Sequence, residues 1–114
     1  MGVAGGKTAP NFRNQGAPMS IQRLSDQEAA KGIASLPGWQ IEQGKLHKSF
    51  EFRDFIQAFG FMSRVALVAE SLGHHPEWSN VWNKVVVNLS THSIGGISRL
   101  DIELAGKIQE LADK

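Results

Sequence analysis

Twice along this chain the spacing of apolar side chains switches, from every second residue to every third or fourth and back again. Leu46, Lys48, Phe50 and Phe52 fall on one side of an alternating run, with His47, Ser49 and Glu51 on the other. From about Asp54 the period becomes helical: Phe55, Ile56, Phe59, Met62, Ala66, Ala69 and Leu72 form one stripe that stops at Gly73. Glu77 to Trp82 and Val85 to Thr91 return to alternation, with a turn near Asn83-Lys84. A chain with both periods can be neither all-helical nor all-β.

Trp39-Gln40-Ile41-Glu42 also alternates, and Gln43-Gly44 joins it to the next run as a hairpin. Both outer helices open on capping boxes. Ser25-Asp26-Gln27-Glu28, preceded by Leu24, starts a helix to about Ser35, where Leu36-Pro37-Gly38 stops it. Ser98-Arg99-Leu100-Asp101 starts the last, with Leu100, Leu104, Ala105, Ile108 and Leu111 as its buried stripe. The order α-β-β-α-β-β-α predicts an α+β domain: a four-stranded antiparallel sheet with helices on one face and the other face free.

At 114 residues this is one domain, read as residues 21–114 behind a flexible leader of residues 1–20 rich in Gly, Pro, Asn and Ala. Gly6-Lys7-Thr8 is no phosphate loop, because the glycine needed five positions earlier would be Met1. Met1-Gly2 is no myristoylation site, since the required Ser or Thr position is Gly6. The leader carries Lys7 and Arg13 and no acidic residue, but little serine and no amphipathic pattern. The expected location is cytoplasmic, with a mitochondrial leader left open.

Twelve basic and eleven acidic side chains give a net charge of +1, so no field of one sign draws in nucleic acid or an anionic membrane. The absence of cysteine excludes a disulfide scaffold, a thiolate metal site and a cysteine nucleophile, and is compatible with a reducing compartment. No apolar run approaches the ~20 residues of a membrane span.

Chemistry is concentrated in one stretch. Three of the four histidines lie within nineteen positions: His74 and His75 in Gly73-His-His-Pro76-Glu-Trp78, and His92 after Ser90-Thr91. Histidine both gives and takes a proton near neutrality, so three together with Glu70 and Asp101 point to an acid–base site. His75 precedes a proline and is extended, which sends neighbouring side chains to opposite sides and disfavours chelation of one metal. No metal is expected. His47 reads as an ordinary structural or surface histidine. Trp78 and Trp82 read as core residues or as a flat wall for a planar ring. Gly95-Gly96 reads as a loop needing freedom, or as a close backbone approach to a ligand.

These residues resemble the pterin-4a-carbinolamine dehydratases. Glu70, His74-His75-Pro76, Trp82, His92 and Asp101 stand at that family's spacings: three residues between Glu70 and His74, five between Pro76 and Trp82, nine to His92 and eight to Asp101. The likeness covers about Leu24 to Leu111. One departure is Gly73, where some members, including the mammalian ones, carry an acidic residue.

The resemblance implies a hydro-lyase that converts 4a-hydroxytetrahydrobiopterin to quinonoid dihydrobiopterin in tetrahydrobiopterin recycling, without redox cofactor or metal. It implies His74 and His92 as the acid–base pair, His75 holding and polarising the pterin, and Glu70 and Asp101 orienting the histidines. Trp78 would form part of the ring wall, and Thr91 joins the substrate-binding or supporting set. The order of proton transfers stays open. Phe61, Val65, Leu67 and Val68 make the central helix apolar beyond one face, which points to a homo-oligomer, dimer or tetramer, with the helix at an interface that a charge at Phe61 would break. The number four comes from the resemblance alone. Animal members also serve as a dimerisation cofactor for a homeodomain transcription factor, so a pterin-binding or coactivator protein without turnover is the alternative.

Overall fold

In the computed structural model, which describes residues 21–114, the elements are α1 (Asp26–Gly32), β1 (Gln40–Glu42), β2 (Lys45–Glu51), α2 (Phe55–Leu72), β3 (Glu77–Val81), β4 (Lys84–Leu89) and α3 (Arg99–Ala112). A short 3-10 turn, His92–Ile94, follows β4. The leader expected over residues 1–20 lies outside the described residues. The predicted order of elements holds, and both capping boxes form, Ser25 with Glu28 and Ser98 with Asp101. α1 ends at Gly32, three residues before the expected Ser35.

Gln43 and Gly44 both take positive φ, 52° and 75°, which gives the β1–β2 turn a twist matching its strands. β4 then runs between β2 and β3, so the all-antiparallel sheet has the order β1-β2-β4-β3. Leu46 faces Leu89, Phe50 faces Val85 and Trp78 faces Val87, which puts these apolar residues on one side, whereas Val86, opposite Ser49, and Val81, opposite Lys84, lie on the other. On the first side Leu46, Phe50, Val85, Val87 and Leu89 pack with Phe61 and Val65 of α2 and Leu104 and Ile108 of α3. Burying each such side chain contributes roughly 1.5–3 kcal/mol. Lys48 shares the apolar side because its Nζ reaches the Pro37 carbonyl at 2.6 Å and Gln109 Oε1 at 2.8 Å. Partial burial lowers its pKa, with Asp113 opposing the shift.

Three expectations about α2 are corrected. The stripe that α2 turns to the sheet is Ala58, Phe61, Val65 and Ala69, whereas Phe55, Ile56, Phe59, Leu67 and Leu72 of the expected apolar surface are exposed. Two apolar stripes of the same period share this helix, and periodicity alone cannot rank them. The inner one wins by shape: Phe61 fits between Phe50 and Phe52, with ring centroids 5.0 Å and 4.8 Å away. Phe61 is therefore a core residue, and a charge there would strike the fold rather than an interface. For the same reason α2, at 18 residues, reaches the length and apolarity of a membrane span, against the sequence expectation, while its inner face is packed on the sheet.

The β3–β4 turn is Trp82-Asn83, one residue earlier than expected. Asn80 Nδ2 holds it by donating to the carbonyls of Trp82 and Lys84 at 3.0 Å and 2.7 Å.

Candidate active site

The C-terminus of α2 sets the first histidine. Gly73 adopts φ 65°, a conformation that favours glycine, and lets the chain double back on its own helix. Its N–H reaches the Glu70 carbonyl at 3.1 Å, and the His74 N–H reaches Ala69 at 3.1 Å. The His74 backbone is thus fastened to the helix it leaves.

The partner carboxylate is set by another helix end. As third residue of α3, Asp101 completes the capping box by accepting from the Ser98 N–H at 2.9 Å. The same Oδ2 accepts from Thr91 Oγ1 at 2.9 Å, while Oδ1 meets His74 Nε2 at 2.5 Å. Proton counting fixes the directions around it. The single Thr91 hydroxyl proton goes to Asp101, so Ser98 Oγ, which accepts from the Leu100 N–H at 3.2 Å, donates to Thr91 at 2.7 Å. The Asp101 side chain is fully buried and that of His74 is 12% exposed. A buried carboxylate is tolerable here because three donors converge on it.

His75 turns elsewhere, as extended backbone before Pro76 requires. Its Nε2 lies 2.9 Å from Glu70 Oε1, back on α2 and in solvent. His92 enters from the turn after β4, and its Nε2 lies 3.2 Å from Glu77 Oε2. Glu77 Oε1 in turn accepts from Lys45 Nζ at 2.6 Å. The Lys45 ammonium, and after it His92, hold the Glu77 carboxyl below the usual range.

Gly73, His74, His75, Ser90 and His92 line one open cleft of about 270 Å³. A second, of about 350 Å³, is lined by Gln43, Gly44, Lys45, Ser90, Thr91, His92, Gly95 and Gly96, and meets the first at Ser90 and His92. Gly95, at φ 63°, closes the turn that carries His92. The structure therefore brings His74, His75 and His92 to one cleft, each with Nε2 on a different carboxylate. With those nitrogens engaged, neutral imidazoles keep Nδ1 free to take a proton, and protonated ones can give it.

Two tryptophans stand apart from this cleft. Trp78 lines neither space; facing Val87, it is half-buried against the core on the helix-covered side of the sheet. The alternation of β3 turns Glu77 and Ser79 to the open side and Trp78 away from it, which corrects its expected place as a ring wall. Trp82 is exposed at the far end of the hairpin. His47 bonds Asn88 Oδ1 through Nδ1 at 2.9 Å on the open face of the sheet.

Glu77, Lys45 and Ser98 belong to the site and were not singled out from sequence. Parity places Glu77 and Lys45 on the polar sides of their strands. Their meeting depends on β4 lying between β2 and β3, which the residue pattern does not give.

Residues 22–111 match the family model described as pterin 4 alpha carbinolamine dehydratase. A protein of Rhizorhabdus wittichii named "Putative pterin-4-alpha-carbinolamine dehydratase" is 50% identical over 97 residues, covering 83% of this chain and all of that one. The crystal structure of a transcriptional coactivator/pterin dehydratase from Brucella melitensis is 46% identical, with a TM-score of 0.76 over 80% of this chain and 99% of that one. A pterin dehydratase-like protein identified as a RuBisCO assembly factor in the alpha-carboxysome shares the fold, at 24% identity and a TM-score of 0.55 over 65% of this chain and 86% of that one.

Proposed function

From the chain's membership of the pterin 4 alpha carbinolamine dehydratase family, we propose that it dehydrates 4a-hydroxytetrahydrobiopterin to quinonoid dihydrobiopterin by histidine acid–base catalysis. The observation that carries this reading is His74, nearly buried and tied through Nε2 to the fully buried Asp101, in a cleft that also presents His75 and His92. Dehydration needs a proton delivered to the departing 4a-hydroxyl and a proton removed from a ring nitrogen. The products are water and the quinonoid ring, and no electrons are transferred. One imidazole that gives a proton and one that takes a proton are sufficient, each worth ~10²–10⁴-fold. His74 and His92 take these roles, and His75, which is exposed, holds and polarises the ring.

The test is conversion of synthetic 4a-carbinolamine, followed by the absorbance of the quinonoid product. Acceleration over the spontaneous rate, unchanged after exhaustive chelation, is expected. Binding without acceleration, or loss with EDTA restored by zinc, contradicts the reading.

The exposed Phe55, Ile56, Phe59 and Leu67 on α2 support assembly into a homo-oligomer, since soluble chains seldom leave such a patch in water, and the family resemblance supplies the number four, as a dimer of dimers. Light scattering checks it. A multiple of the 12.5 kDa chain is expected, reduced by Phe59→Glu, and a monomer at micromolar concentration overturns it. The same patch supports the second reading, a pterin-binding dimerisation cofactor for another protein, which the turnover assay separates from the first.

A further inference from the structure

Glu77 is the first residue of β3 and projects onto the open face of the sheet, in register with Asn88. Lys45, the first residue of β2, reaches it there across the intervening β4. Both carboxylate oxygens are occupied: Oε1 by Lys45 Nζ at 2.6 Å, and Oε2 by His92 Nε2 at 3.2 Å. A carboxylate held beside an ammonium stays ionised at neutral pH, in keeping with the lowered pKa of Glu77. It can then only accept hydrogen bonds. That fixes the proton on its neighbour: Nε2 of His92 carries the hydrogen, and in the neutral ring Nδ1 is bare.

His92 depends on this contact more than His74 depends on any one of its own. It sits on a three-residue turn, its side chain is 80% exposed, and among the described residues its ring makes no other hydrogen bond. Freed from Glu77, the ring would turn about its side-chain bonds and sample both tautomers. We propose that Glu77, anchored by Lys45, is the positioning residue of His92: it selects the Nε2–H tautomer and leaves Nδ1 as the nitrogen that exchanges a proton in the cleft. Lys45 acts one step further back, by holding the carboxylate where the ring can meet it. The consequence for turnover rests on the dehydratase reading, whereas the ring geometry does not.

The experiment uses the full ¹⁵N-labelled chain, with the ring nitrogens of His92 observed under conditions where the imidazole is neutral. The wild-type protein should show the Nε2–H pattern alone. Glu77→Gln, whose amide can either accept or donate, should shift His92 towards a mixture of tautomers while leaving the His74 ring and the far-ultraviolet circular dichroism unchanged. Lys45→Met should move His92 in the same direction by less. With carbinolamine as substrate, Glu77→Gln should lower kcat roughly tenfold, with KM held within about twofold. In a His92→Asn background the same substitution should cost nothing further, because Glu77 acts through a ring that is no longer there. A His92 spectrum identical in wild type and Glu77→Gln overturns the proposal, as does an undiminished kcat loss in the His92→Asn background. Absence of turnover in the wild-type chain would overturn the dehydratase reading instead, and the ring spectrum would still decide the role of Glu77.

Discussion

His74 and His92 each bring Nε2 to a carboxylate, yet one pair is sunk beneath a helix terminus and the other stands in water. Asp101 is fully buried and also serves as helix cap and as acceptor for Thr91. Glu77 is 46% exposed and is steadied by one lysine. The difference teaches that the same chemical device can be built into the fold or laid on its surface. In the first case function and stability are one quantity, because the carboxylate cannot be removed without orphaning buried donors. In the second they are separable, because water replaces whatever is lost.

Substitutions should reveal that contrast. Asp101→Asn should have the largest effect on stability and an effect on turnover that no other single variant exceeds, since an amide can no longer accept at both oxygens. A stability loss of ~3 kcal/mol by chemical denaturation is expected, together with a fall in turnover of at least ~10²-fold. Stability equal to wild type would show that the buried network is not what holds Asp101 in place. His74→Ala should fall as far in turnover and much less in stability, with His92→Ala close behind and no measurable unfolding shift. His75→Ala should raise KM more than it lowers kcat. His47→Ala, on the open face of the sheet, should leave turnover alone; damage equal to that of His92→Ala would mean the site lies elsewhere.

The smallest effect concerns pH. Glu77 titrates lower in the fold than its ordinary value of 4.5, with Lys45 the main cause. The sign follows: its ion pair contributes to stability above about pH 4.5 and is lost as the pH falls through the folded value. The Glu77 carboxylate carbon should therefore show an NMR midpoint below 4.5, which Lys45→Met moves upward. An upward shift of that midpoint in the wild type would break the chain from Lys45 to His92.

The buried pair was the more legible from sequence. Ser98 and Asp101 announce a helix cap, and His74 follows a glycine that ends a helix, so each half is fixed by local backbone rules. The exposed pair was not legible, because Lys45, Glu77 and His92 come from three separate segments, and sequence pattern gives strand faces without strand order. The same gap misplaced Trp78, whose side of the sheet follows from its register with Val87. On α2 the difficulty was excess: two apolar stripes satisfied one period, and only the fit of Phe61 against Phe50 and Phe52 chose between them.

The most direct test of the account compares the wild-type chain with the double variant His74→Ala/His92→Ala in the dehydration of synthetic 4a-carbinolamine, with folding of both checked by circular dichroism. The account predicts that the wild type accelerates formation of the quinonoid product and that the folded double variant returns it to the spontaneous rate. Acceleration that survives in the double variant would contradict it, because the reaction would then be carried by groups outside this cleft.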